Sequence, residues 1–118
     1  MSTKTKVVET ILNRFVEQGL FDSPESALRE LAQDYIVKQI NRYQKIISDL
    51  ERKYGLSYDQ FTQYLAKRAA SLQDPDLPPE RLRILGQEVM REEEDALEWK
   101  IARDMLANWL GMKAEAEK

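Results

Sequence analysis

The stretch that decides the fold is residues 23–54, SPESALRELAQDYIVKQINRYQKIISDLERKY, in which no glycine or proline follows Pro24. Large apolar residues recur along it at spacings of 4, 3, 4, 3 and 4, the alternation of a coiled-coil seam. The seam consists of Ile36, Ile40, Tyr43, Ile47, Leu50 and Tyr54. A helix of about 30 residues is about 45 Å long, which exceeds the width of a compact domain of this size. We therefore predict that another helix covers the seam, either from this chain or from a second copy.

Homodimerisation through this helix is the simplest prediction, because its apolar positions exceed what one neighbouring helix covers. The six seam residues are then the self-association surface. A stripe at helical spacing is also typical of a core, so the same residues are candidates for the core of the chain itself. The tyrosines carry polar hydroxyls that a buried site must satisfy, which fits a seam partly open at its edges.

Three further helices are predicted, at residues 5–18, 57–72 and 79–110, beside the one at 24–54. Gly19 and Gly55 are placed to end helices, Ser23 and Pro24 to begin one, and Ser57 to Gln60 forms a capping box. Residues 73–79, QDPDLPP, are predicted to be a rigid connector, and residues 111–118 a frayed tail. The expected fold is one all-α domain with two long helices that pack along each other, in an extended oligomeric bundle or coiled coil.

Composition excludes several classes of function. The 118 residues include no cysteine and no histidine, which removes thiolate and imidazole chemistry together. Serines 48, 57 and 71 therefore lack a histidine to activate them, and no glycine-rich loop offers amides to a phosphate. We expect no enzyme, no cofactor and no metal. The start, MSTKTK, has no apolar signal core, and no stretch reaches the length of a membrane span, so a cytoplasmic location is expected.

Acidic residues concentrate in the second half of the chain. Residues 1–54 carry 9 Lys and Arg against 8 Asp and Glu, whereas residues 55–118 carry 9 against 13. Between residues 88 and 98, six carboxylates face one arginine, and two tryptophans follow. This pattern is typical of a surface for a basic protein partner, with tryptophans as apolar anchors. The candidate partner-binding residues are Glu92, Glu93, Glu94, Asp95, Glu98, Trp99 and Trp109.

Two other interpretations of the acidic segment stay open. A carboxylate-bridged metal site of the kind found in helical bundles uses Glu together with histidine, which this chain lacks. An all-oxygen site for a hard cation needs no histidine. The plainest interpretation is a solvated helix face that keeps the protein soluble.

A resemblance to a known group begins at residues 19–30, GLFDSPESALRE, which follow an amphipathic helix. This stretch resembles the turn between the two helices of ribbon–helix–helix proteins. The longer pattern is similar to small prokaryotic proteins that serve as antitoxin components of toxin–antitoxin pairs. It consists of VVETILNRFVEQGLF at 7–21, KYG at 53–55, LSYDQF at 56–61 and EEEDALEW at 92–99. The resemblance covers roughly residues 7–110 and implies a protein that binds and neutralises a small partner.

The chain departs from ribbon–helix–helix proteins at its start. Their DNA-reading strand precedes the first helix, and dimers pair two such strands in the major groove. Here only MSTKTK precedes the first apolar face, and it does not alternate. If DNA contact survives, the expected contacts are Lys4, Lys6 and Arg14, beside Thr3 and Thr5.

Two functions from different classes follow from this sequence. The first is an antitoxin-like binding protein that uses its acidic carboxy-terminal helix, residues 80–110, as the contact surface. The second is a self-associating helical protein without a dedicated inhibitory partner. A short toxin-like reading frame beside the gene favours the first, and a stable oligomer with an unoccupied acidic face favours the second.

Overall fold

Four α-helices make up the fold. A computed structural model describes residues 3–117, and no strand occurs among them. The helices are α1 (Thr3–Glu17), α2 (Pro24–Tyr54), α3 (Tyr58–Ser71) and α4 (Pro79–Ala116). The predicted all-α class and number of helices are therefore confirmed for these residues, and α2 has the predicted bounds. Predictions that involve Met1, Ser2 and Lys118 lie outside the described residues.

The ends of the helices follow from local chemistry. Gly19 and Gly55 adopt φ values of 76° and 65°, the left-handed conformation that favours glycine after a helix. The hydroxyl of Ser57 accepts a hydrogen bond from the Gln60 amide at 3.2 Å, and the Gln60 side chain accepts one from the Ser57 amide at 2.9 Å. The predicted capping box is thus confirmed. The Ser23 hydroxyl likewise accepts a bond from the Ser26 amide at 3.1 Å.

The end of α4 differs from the prediction. The helix continues through Gly111 to Ala116, so the predicted end at residue 110 is wrong, and residues 111–116 are helical instead of frayed. Gly111 does not take a positive φ here, so it does not act as a cap. The residues that follow, MKAEA, are good helix formers, and they outweigh the cost of one glycine.

The chain divides into two compact units. The central unit is residues 41–108, and the terminal unit consists of the described parts of residues 1–40 and 109–118. In the central unit the core contains Leu50 of α2, Phe61 of α3 and Trp99 of α4, with half-buried residues such as Leu65 packed against it. Within this unit α2 and α4 pack antiparallel. Tyr54, late in α2, contacts Asp95, whereas Tyr43, earlier in α2, lines a groove with Ile101, which is later in α4.

The terminal unit has a smaller core. Its buried apolar residues are Ala27, Ile36 and Ile40, and the rings of Tyr35 and Trp109 meet edge to face with centroids 5.6 Å apart. No residue of α1 is buried. None of the helices in the described part of the chain combines the length and apolar character that a bilayer-spanning segment needs.

Candidate functional site

The acidic segment of α4 does not form one surface. Successive helical residues are rotated by about 100°, so the carboxylates between residues 88 and 98 point in several directions. Glu93, Glu94 and Glu98 are exposed, whereas Glu92 is buried and Asp95 is half-buried. The predicted partner-binding set therefore splits into residues that face solvent and residues that join α4 to its neighbours.

Glu92 forms an ion pair inside the central unit. Only 9% of Glu92 is exposed, and the guanidinium of Arg68 on α3 donates to its carboxylate at 3.1 and 3.0 Å. The same guanidinium donates to Glu88 at 2.6 Å. The Glu88 hydrogen bond raises the pKa of Arg68 further, although burial opposes the charged form. Glu92 consequently joins α3 to α4, and its predicted role as a partner contact stays untested.

Asp95 serves the same purpose toward α2. Its carboxylate accepts hydrogen bonds from the Lys53 ammonium at 2.6 Å and from the Tyr54 hydroxyl. Burial raises the pKa of Asp95, but these two bonds outweigh burial and hold it below its ordinary value. Burial and the bond to Asp95 raise the pKa of Tyr54, so its hydroxyl remains a donor. Asp95 is therefore a structural residue and not a free partner contact.

The two tryptophans also differ from the prediction. Trp99 is 1% exposed, and its ring stacks on Phe61 at 5.5 Å and contacts Tyr58 at 5.6 Å. The ring is therefore part of the core of the central unit, and its predicted role as a partner anchor stays untested. The sequence carried the signal, because Val89, Ala96 and Trp99 lie on one helical stripe. Trp109 is half-buried in the terminal unit, where its ring meets that of Tyr35.

An apolar groove with an acidic border lies between α2 and α4 in the central unit. It is lined by Tyr43, Ile46, Glu94, Leu97, Glu98, Ile101 and Ala102. Leu97 is 60% exposed and Ile101 is 51% exposed. We call this feature the α2–α4 groove. Leu97 and Ile101 were not predicted as site residues, although their spacing of four places them on one helical face.

The carboxylates at the groove have no cation partner among the described residues. The ion pairs of residues 3–117 involve neither Glu94 nor Glu98. Both side chains are exposed beside Leu97 and Ile101. The groove therefore offers apolar surface and negative charge together, and of the predicted acidic residues only Glu94 and Glu98 line it.

The predicted seam is largely covered by the chain itself. Ile36, Ile40 and Leu50 are buried in a single copy, and the other seam residues, Tyr43, Ile47 and Tyr54, are half-buried. More than one neighbouring helix covers these positions, as predicted, but α3 and α4 of the same chain provide the cover, so their burial does not require a second copy. The need to cover the seam therefore no longer supports self-association, which stays an untested prediction.

The basic residues of the start lie on a helix. Lys4, Lys6 and Arg14 are exposed on α1, which begins at Thr3. Residues 3–8 therefore do not form the strand by which ribbon–helix–helix proteins read DNA. No group of three or more carboxylates in residues 3–117 is arranged to hold a metal ion.

No protein family, curated protein or solved structure matches this chain. The fold and the groove define an all-α protein with an acidic, apolar groove between two antiparallel helices. Its function is therefore inferred from the chemistry of that surface.

Proposed function

We propose that this chain is a non-catalytic, antitoxin-like protein that binds a small basic protein through the α2–α4 groove. The observation that carries the proposal is the position of Leu97 and Ile101, half or more exposed, beside the carboxylates of Glu94 and Glu98, which form no ion pair within residues 3–117. These residues replace the predicted contact set, because Trp99 and Glu92 are buried and the half-buried Asp95 is bonded to Lys53 and Tyr54.

The chemistry of the groove specifies the partner's segment. Burial of apolar surface contributes about 25 cal/mol per Å², so Leu97 and Ile101 supply affinity once a partner covers them. Exposed charge pairs are each worth about 0–1 kcal/mol, but they steer association and discriminate among partners. An amphipathic helix with apolar residues on one face and Lys or Arg beside them satisfies both requirements.

A catalytic role is not proposed. The groove is lined by carboxylates, a tyrosine and aliphatic side chains, and the sequence contains neither histidine nor cysteine to act as base or nucleophile. The exposed position of Glu94 and Glu98 suits charge recognition better than acid–base catalysis.

The test compares a groove variant with a matched control. The groove variant is E94K/E98K, and the control E51K/E115K makes the same change of charge at exposed positions away from the groove. Each is used to capture proteins from native lysate, with mass spectrometry of the bound fraction. We expect a small basic protein that the wild type and the control retain and the groove variant loses.

Neutralisation is then measured directly. Expression of the captured protein alone is expected to stop growth of its host, and co-expression of the wild-type chain, but not of E94K/E98K, is expected to restore it. Equal capture by the groove variant and the control contradicts the assigned surface. A captured protein that is harmless when expressed alone contradicts the antitoxin-like function.

A further inference from the structure

α1 presents an apolar face that its own chain leaves uncovered. Val7, Val8 and Ile11 are 53%, 49% and 51% exposed. They lie on one side of the helix, because positions three and four apart are neighbours on a helical surface. Exposed apolar residues that cluster in this way mark an interaction surface more often than isolated ones do.

Cations border this face at both ends. Lys4, Val7, Ile11 and Arg14 follow one another at spacings of 3, 4 and 3, so all four share one helical row. Both cations are exposed, and the ion pairs of residues 3–117 involve neither of them. The row therefore reads cation, apolar, apolar, cation along an amphipathic helix.

The α2–α4 groove has the complementary chemistry. It combines the exposed side chains of Leu97 and Ile101 with the carboxylates of Glu94 and Glu98, also spaced three and four residues apart on α4. Neither surface has a counterion among the described residues. An uncovered basic amphipathic helix and an uncovered acidic apolar groove thus occur in the same sequence.

We propose that α1 of one copy docks in the α2–α4 groove of a second copy, with Val7 and Ile11 against Leu97 and Ile101 and with the basic border of α1 toward the acidic border of the groove. The contact is heterologous, because the two copies contribute different surfaces, and the pair retains one free α1 face and one free groove. The inference goes beyond the proposed function, since it needs no second protein.

Charge reversal on each side separately tests this contact. The α1 variant is K4E/R14E, with K6E/K38E as its control at exposed positions outside the row. The groove variant is E94K/E98K, with E51K/E115K as its control. Sedimentation velocity over a concentration series measures association, and circular dichroism checks that each variant keeps its helix content.

We expect the wild type and both controls to associate, and each face variant alone to associate at least about tenfold more weakly, because the attraction between the two charged surfaces becomes repulsion. Mixing K4E/R14E with E94K/E98K is expected to restore association, since each α1 then meets a groove of opposite charge. A monomeric wild type, full association of either face variant, or failure of the mixture to recover overturns the proposal. None of these results depends on the basic partner of the proposed function.

Discussion

α1 and α3 are short helices of nearly equal length, 15 and 14 residues, but they differ in burial. Each carries an apolar stripe that predicts burial. α3 inserts Phe61 completely between α2 and α4, whereas no residue of α1 is buried. The comparison shows that amphipathicity predicts a helix and its contact face, but not whether the covering partner belongs to the same chain.

The physical difference lies in what each helix meets. The Phe61 ring contacts Tyr54 at 4.2 Å on one side and Trp99 at 5.5 Å on the other, and Arg68 adds ion pairs to α4. In the terminal unit Phe15 meets only the ring of Phe21 edge to face at 6.0 Å, among the ring contacts of residues 3–117. α3 is therefore fixed by neighbours from two helices, and α1 presents its remaining apolar face outward.

The largest expected effect separates the two phenylalanines of these helices. Phe61→Ala should lower the free energy of unfolding by about 3–5 kcal/mol, because it leaves a cavity in a closed core. Phe15→Ala removes a half-buried ring, so a loss of about 1–2 kcal/mol is expected. Urea unfolding followed by circular dichroism measures both. Equal losses would show that α1 is packed as firmly as α3.

The second prediction concerns the ion pair of α3. Arg68→Ala leaves the carboxylate of Glu92 nearly buried without its cation, and we expect a loss of about 2 kcal/mol. Arg83→Ala breaks the exposed pair with Glu80 at 2.8 Å and should cost less than about 0.5 kcal/mol. Urea midpoints of the two variants provide the measurement. Similar midpoints would mean that the Arg68 pair contributes no more than a surface pair.

The third prediction uses the pH dependence of Asp95. Its pKa is lowered in the folded state, so its contribution is complete above the unfolded pKa of about 3.9 and is lost as pH falls through the folded pKa. Asp95→Asn should therefore cost about 1 kcal/mol at pH 7. The difference between wild type and variant should shrink at pH 3. Urea unfolding of both proteins at pH 7 and pH 3 measures this difference. A difference that does not change with pH would show that Asp95 does not contribute to the loss of stability in acid.

The smallest effect on stability is expected in α1. Ile11→Asp should change the free energy of unfolding of the dilute chain by less than about 0.5 kcal/mol, because the side chain is half exposed. The same change should abolish association in sedimentation velocity, since it places a carboxylate against an acidic groove. A large loss of stability without a change in association would place Ile11 in a core and not in an interface.

The sequence predicted the helices better than their surroundings. Local signals such as Pro24, the Ser57 capping box and Gly55 act within a few residues, so they fixed the predicted bounds of α2 and the start of α3. Whether Glu92 or Glu94 faces solvent depends on Arg68, which lies more than twenty residues away in the chain. Periodicity placed Trp99 on the core stripe, whereas the neighbouring carboxylates suggested an exposed anchor. In the structure Trp99 is buried in the core.

The groove was harder to predict because it is formed by two helices, and the sequence does not show which residues of α2 lie beside which residues of α4. Leu97 and Ile101 stand out only after Tyr43 and Ile46 of α2 are placed beside them. Their i and i+4 spacing was visible in the sequence, but a stripe at this spacing is usually core. The extent of α4 was missed for a different reason, because residues 111–118 were predicted to be a frayed tail although the helix continues to Ala116.

If α1 docks in the groove of another copy, its apolar face is open in a single chain and covered in the assembly. Hydrogen–deuterium exchange of the full chain, resolved by segment at low and high protein concentration, tests it most directly. In dilute solution we expect fast exchange in α1 and slow exchange in α3. At high concentration α1 and residues 94–101 should gain protection together. Protection of α1 equal to that of α3 in dilute solution, or no change with concentration in either segment, would contradict the account.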